Sequence, residues 1–120
     1  MGRWTVDPPL HIEIYIAICN NLPVRVILNR RLLEFAARYP AAGEPLQAWR
    51  RVMESRAFGG FSDLRQSFGS VDKVGELYVF DIGGNKFRLI VFIHFGQQMA
   101  YIKHVLTHAE YDRNAWKASS

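Results

Sequence analysis

Three features of this 120-residue chain predict an α+β domain in which an N-terminal strand and a helical hairpin pack on one face of an antiparallel sheet. From Leu77 onward the apolar residues alternate with period two, and two glycine-bearing turn signals interrupt the run. Residues 30–58 instead carry apolar side chains at helical spacing, broken once by a short link. With 49% hydrophobic residues the chain can bury one core, and it is too short for two ordinary domains.

Taken in order, residues 1–23 stand apart: Pro8, Pro9 and Pro23 punctuate an alternating Ile12, Ile14, Ile16 and Ile18, the pattern of an extra N-terminal strand. This extension precedes a domain spanning 24–116 and a tail of 117–120. Val24 to Leu28 reads as a short strand, and Asn29 is a suitable N-cap for a helix over Arg30 to Tyr39, which Pro40 closes. Leu32, Ala36 and Tyr39 share one helix face with Leu33 beside them, leaving Arg30, Arg31 and Arg38 to solvent. Pro45 suits the first position of a second helix running to about Phe58, with Leu46, Trp49 and Met53 as its apolar stripe. The brief link at Ala41 to Gly43 predicts an antiparallel helical hairpin. After Gly59 and Gly60, Ser62 and Asp63 cap a short helix to Phe68. Three strands follow, Leu77–Ile82, Lys86–Phe95 and Met99–Leu106, joined at Gly83-Gly84-Asn85 and Gly96-Gln97-Gln98.

Fifteen Lys and Arg against eleven Asp and Glu give a net charge of +4, which points towards an anionic partner. Three of those four net charges lie in residues 29–58, where six arginines face three acids. Arginine's planar fork suits phosphate oxygens or an acidic protein segment. A solvated helix face is the plainer reading of the same charges. The single cysteine, Cys19, excludes an internal disulfide, and no Cys-x-x-Cys pair offers a zinc site. The longest apolar run, Ile14 to Cys19, is far short of the roughly 20 residues that span a bilayer, and His11 and Glu13 interrupt any signal segment. A cytoplasmic protein without a membrane span or cofactor is the expectation.

The strand Lys86–Phe95 places Phe87, Leu89, Val91, Ile93 and Phe95 on the face that meets the helices. Lys86, Arg88, Ile90, Phe92 and His94 occupy the other. A two-residue turn at Gly83-Gly84 would set Asp81 opposite Lys86 and Val79 opposite Arg88, with Tyr78, Phe80 and Ile82 in the core. A two-residue turn at Gly96-Gln97 would set Ile93 against Ala100 and Ile90 against Lys103, making Arg88 and Lys103 diagonal neighbours able to grip a phosphate. The structural alternative has Asp81 neutralising Lys86 and Arg88 lying along Phe92. In the same register His104 faces the core opposite Leu89, as a hydrogen-bonded structural histidine. Tyr101, near Phe92, either stacks a base or covers apolar surface. Trp49 fits the helix stripe, and Trp116 falls in a tail without a readable pattern.

Two stretches carry a resemblance: Tyr78-Val79-Phe80-Asp81-Ile82-Gly83-Gly84-Asn85-Lys86-Phe87-Arg88-Leu89, and Val105-Leu106-Thr107-His108-Ala109-Glu110-Tyr111-Asp112. Both resemble the HigB family of toxins, and the similarity runs from Val24 to about Trp116 through the Leu-Leu-Glu-Phe helix, Pro-Leu-Gln-Ala-Trp and Phe61-Ser62-Asp63-Leu64. The resemblance implies a RelE-like fold and a ribosome-dependent endoribonuclease that cuts messenger RNA in the ribosomal A site. It also implies a helix-turn-helix antitoxin of the HigA type as partner, with operator DNA bound through the toxin-antitoxin complex. Carried onto these positions, Arg88 and Lys103 become phosphate and transition-state ligands, and His108 and Tyr111 become groups for proton transfer or base stacking. Lys86, Tyr101 and Asp112 are candidate RNA contacts. Typical members begin almost at Val24, so the upstream residues are either a genuine strand or an upstream start assignment.

Metal-free RNA cleavage needs a base for the 2′-hydroxyl, cations for the charge developing on phosphorus oxygens and an acid for the leaving 5′-oxygen. Histidine, with an ordinary pKa near 6.5, serves as either acid or base, and tyrosine serves better as acid or positioner. A metal cluster of His104 and His108 with Glu110 or Asp112 is the weaker reading. A binding module that grips RNA, ribosome or antitoxin without cutting is the rival function.

Overall fold

The computed structural model describes residues 22–118. The alternating isoleucines at 12–18, and with them the question of an extra strand, lie outside the described residues. The elements are β1 (Arg25–Ile27), α1 (Asn29–Arg38), a 3-10 turn (Pro40–Ala42), α2 (Gly43–Met53), α3 (Phe61–Ser67), β2 (Asp72–Val74), β3 (Leu77–Ile82), β4 (Phe87–His94), β5 (Met99–Thr107), α4 (His108–Asp112) and α5 (Ala115–Ala118). The α+β class holds, with one change to the sheet. Its five strands run β1-β5-β4-β3-β2, and β1 pairs with β5 in parallel, so the sheet is mixed. A parallel pair needs a long crossover between its strands, and all the intervening helices and strands supply one here.

The core lies between the helices and one sheet face. Leu32 and Phe35 of α1 and Leu46, Trp49 and Met53 of α2 meet Tyr78, Phe80 and Ile82 of β3 and Phe87, Leu89, Val91 and Ile93 of β4, as the period-two reading predicts. Aromatic edges lock the layers, with Trp49 set edge-on to Phe80 at 5.3 Å and Phe35 to Phe87 at 5.6 Å. Leu33 is turned outward and 53% exposed. Asn29 does not cap α1. Leu28 occupies that position with a left-handed backbone (φ 72°), and the Asn29 Oδ1 accepts a 3.2 Å hydrogen bond from Gln47 of α2. The second helix ends at Met53, earlier than predicted.

Gln98 ties the β4–β5 turn to the rest of the molecule. Only 6% exposed, its Nε2 donates to the carbonyls of Phe58 and Phe95 (both 2.6 Å), its Oε1 accepts from Phe58 N (2.8 Å), and its carbonyl accepts from Arg25 N of β1 (2.9 Å). Where β1 ends, the carbonyls of Ile102 and Lys103 are met by the Arg31 guanidinium, each at 3.1 Å.

Candidate active site

The site develops on the sheet face away from the helical hairpin, and two register differences shape it. The β3–β4 connection holds four residues, Gly83 to Lys86, not two, with left-handed φ at Gly83, Gly84 and Asn85 (64°, 64° and 81°). Both lengths are even, so every side chain keeps its predicted face while the partners slide. Arg88 is therefore opposite Asp81, and Val79 opposite Ile90, in place of the predicted Asp81–Lys86 and Val79–Arg88 pairs. The β4–β5 turn does set Ile93 against Ala100, but a bulge follows between Ile90 and Val91, whose partners are His104 and Ile102. Lys103 is the extra residue.

A bulge redirects side chains, and this one shifts the pairing of every β5 residue from His104 onward. Ile90 faces His104 rather than Lys103, and Arg88 faces Leu106, so Arg88 and Lys103 are separated along the strand and are not the diagonal neighbours predicted. His104 leaves the predicted core face and joins Ile90 on the site face, while Val105 packs into the main core opposite Leu89. Burial, then the positive charges of Lys103 and Arg31, hold the His104 imidazole below its ordinary pKa.

The face is not open along its whole length. Leu77, Val79, Ile90 and Trp116 form a second, small core, with Leu106, Phe92 and Tyr111 packed against it. Trp116, unreadable in the sequence, is 4% exposed. Its Nε1 donates to the Tyr111 carbonyl at 3.2 Å, and the two rings stack at 5.3 Å with 15° between their planes.

At one corner the structure gathers five of the seven candidate residues. Arg88, only 8% exposed, pairs through Nε with Asp81 Oδ1 at 3.2 Å, donates from Nη1 to the carbonyls of Asn85 (3.1 Å) and Phe87 (3.3 Å), and lies 5.4 Å from the Tyr111 ring centre. A guanidinium held by three acceptors and an aromatic ring has lost most of its freedom before any substrate arrives. The cap of α4 explains its neighbours. Thr107 and Glu110 form a reciprocal capping box (Glu110 N to Thr107 Oγ1, 3.2 Å; Thr107 N to Glu110 Oε1, 2.9 Å), fixing where this short helix starts. His108 N donates to the Lys86 carbonyl at 3.1 Å, pinning α4 to the β3–β4 hairpin. One turn of helix then puts His108 Nδ1 3.0 Å from Asp112 Oδ2. One hairpin and one helix thus link these five positions, through the Lys86 carbonyl to His108 N, Arg88 to the Tyr111 ring and His108 to Asp112.

Lys103 and Tyr101 lie farther along β5 on the same face. The Tyr101 hydroxyl contacts Met99 Sδ at 3.2 Å and its ring lies 6.1 Å from Phe92. Sequence reasoning missed Asp81 as the partner of Arg88, and Trp116. A four-residue hairpin loop would have revealed the first, and nothing in the local pattern marks the second. Among the described residues no group of three or more His, Cys, Asp or Glu could hold a metal ion, and no helix is long and apolar enough to cross a membrane.

The arginines of residues 29–58 are largely satisfied within the chain. Arg51 pairs with Glu44 (2.6 Å), Arg50 with Glu54 (3.1 Å) and Arg56 with Asp63 (2.7 Å), while Arg38 lies over Phe35 and Tyr39. The hydrogen bonds from Arg56 and from Gly59 N lower the Asp63 pKa.

Comparison with known proteins agrees with this picture. The HigB toxin family model, described as the RelE-like toxic component of a toxin-antitoxin system, matches residues 42–114. The mRNA interferase HigB of Escherichia coli O6:H1 is 34% identical over 93 residues, covering 75% of this chain and 90% of that protein. The mRNA interferase toxin HigB of Escherichia coli K12 is 33% identical over 92 residues, covering 74% of this chain and 88% of its own. The mRNA interferase HigB of Shigella flexneri gives the same figures: 33% over 92 residues, 74% and 88%.

Proposed function

This chain belongs to the HigB family of RelE-like toxins, the toxic components of toxin-antitoxin systems, and from that premise we propose that it is an endoribonuclease that cuts messenger RNA during translation. The observation that carries the reading is the corner where Arg88 is fixed by Asp81 and by Tyr111, on the same short helix as the His108–Asp112 pair. It combines a preorganised cation with groups able to move protons, which is what metal-free phosphodiester cleavage demands.

In the proposed reaction the 2′-oxygen attacks the adjacent phosphorus as its proton is removed. The bond from phosphorus to the 5′-oxygen breaks, that oxygen takes up a proton, and the products are a 2′,3′-cyclic phosphate and a 5′-hydroxyl. His108 and Tyr111 supply the proton steps. Asp112 engages Nδ1 of His108 and so leaves Nε2 to exchange a proton. Arg88 already uses Nε and Nη1 within the chain, and its Nη2 hydrogens are the donors for a non-bridging phosphate oxygen. Lys86, whose carbonyl accepts from His108 N, is the proposed second cation for the RNA. Lys103, displaced by the bulge, serves a flanking phosphate, and Tyr101 accompanies it.

The ribosomal A site is the proposed place of action, in the cytoplasm. A helix-turn-helix antitoxin is the proposed regulator, binding operator DNA together with the toxin. Mapping messenger 5′ ends after incubation of the chain in a reconstituted translation system tests this reading. New ends phased to codons, present with ribosomes and absent without them, are expected. An unchanged set of ends would leave the non-cutting binder as the better account.

A further inference from the structure

Beyond the corner lies a cavity that the proposed chemistry does not use. It has a volume of about 530 Å³, within the usual range for small-ligand sites of about 300–1,000 Å³. Leu77 and the half-buried Phe92 form its apolar side, and Trp116 is the wall nearest Tyr111. Lys103 and Lys117 stand at its rim, the Lys117 ammonium 5.7 Å from the centre of the Trp116 ring, and the exposed carboxylate of Glu76 lines another edge. Neither Arg88 nor His108 reaches it. On the other side of Trp116 a separate concavity of about 340 Å³ is lined by His104, Leu106, Glu110 and Arg113.

We propose that the cavity bounded by Phe92, Trp116, Lys103 and Lys117 is a nucleobase subsite for single-stranded RNA, with Glu76 selecting the base. The assignment rests on the endoribonuclease reading and extends it to substrate selectivity. Three observations support it. An aromatic face in a cavity of this size accepts any base by stacking, since every base presents a π-face. Two ammonium groups at the rim match the phosphates on either side of a seated base, whereas a bare apolar groove for a peptide helix has no use for them. A carboxylate repels phosphate and therefore faces the base edge, where it accepts hydrogen bonds from an exocyclic amino group. Cytosine, adenine and guanine carry that group. Uracil, whose one ring N–H is flanked by two carbonyls, is the poorest fit.

Placement makes the subsite relevant to cleavage. Arg88 stacks on Tyr111, Tyr111 stacks on Trp116, and Trp116 is the cavity wall, so a strand gripped at Arg88 passes the cavity within a nucleotide or two. The chain would choose where to cut by which base enters the cavity, apart from the groups that do the cutting.

The test uses the full chain and RNA hexamers with 2′-O-methyl groups, which bind without being cut, read by fluorescence anisotropy. An abasic residue moved along the hexamer should weaken binding about tenfold or more at one position. Phe92→Leu, which keeps apolar volume and loses the ring, should abolish that positional effect. Glu76→Gln should bring cytosine and uracil within about twofold of each other there, and should flatten the base preference of mapped cleavage sites beside the cut. Both side chains are at least partly exposed, and a circular-dichroism melt checks that the variants fold. A flat abasic profile, no hexamer binding, or an unchanged profile and cleavage preference in both variants overturns the subsite. A flat profile is also what a peptide-docking cavity would give. Failure of the endoribonuclease reading is separate, because it appears as missing cleavage by the native chain.

Discussion

The two faces of the sheet are built by different rules. Towards the helices, β3, β4 and β5 contribute an unbroken apolar layer in which Leu89, Val91, Ala100 and Ile102 are wholly buried. Towards the other side, the same strands bury Leu77, Val79 and Ile90 beneath Trp116 together with the Arg88 side chain, and around that small patch stand Lys103, His104 and the residues of α4. One strand alternates between them. Leu89 belongs to the first face and Arg88 and Ile90 to the second, so folding and proposed chemistry are one residue apart in sequence and separated by the thickness of the sheet. A period-two backbone permits this division, since each side chain answers to one environment.

Substitutions should respect the division. The largest effect on stability is expected at Leu89→Ala, which empties a closely packed site and should cost about 2–5 kcal/mol, read as a lowered midpoint in urea. The protein that stays folded should retain its cleavage rate. Gln98→Ala should cost about 2–3 kcal/mol, because it strands the Phe58 N–H and carbonyl in a buried turn. Gln98→Glu turns a carboxylate oxygen towards the Phe58 and Phe95 carbonyls in the buried turn, so it should cost at least as much.

The smallest effect concerns pH. In the folded protein His104 has a pKa below its ordinary 6.5, so the unfolded chain binds its proton more readily. Protonation therefore works against the fold: the penalty is absent above the ordinary pKa, grows as pH falls through it, and levels off below the folded pKa. The melting temperature of His104→Gln relative to that of the native chain should therefore be higher at pH 5 than at pH 8. An equal gap at both pH values would remove His104 from the account.

How much of this could be read in the sequence follows the same division. The core face was legible because alternation from Leu77 to Leu106 and the helical stripes of Leu46, Trp49 and Met53 are dictated by burial, and burial leaves its period in the residues. Arg88 was assigned its correct face because a longer hairpin loop of the same parity leaves faces unchanged. The bulge at Lys103 left no such trace. It arises where strand pairing meets the end of β1 and the Arg31 guanidinium, contacts between residues far apart in the chain, and it moved His104 to the site face and Lys103 away from Arg88. β2 is three residues with two exposed, too short to show a period, and the parallel pairing of β1 is a matter of topology that no local pattern encodes. Trp116 was unreadable because its burial depends on a tail folding back over the sheet.

Arg88 is where the two faces can be compared most directly, since it sits on the site face beside Leu89 of the core. The deciding measurement is the cleavage rate of Arg88→Ala on translating ribosomes, taken on protein whose urea midpoint is determined in the same preparation. Loss of a preorganised donor to a phosphoryl transition state should lower the rate about 100- to 1,000-fold on protein that the urea curve shows to be folded, a loss larger than any fall in the folded fraction explains. A variant that cuts at the native rate, or one whose activity falls only because it unfolds, would contradict the assignment of chemistry to this face.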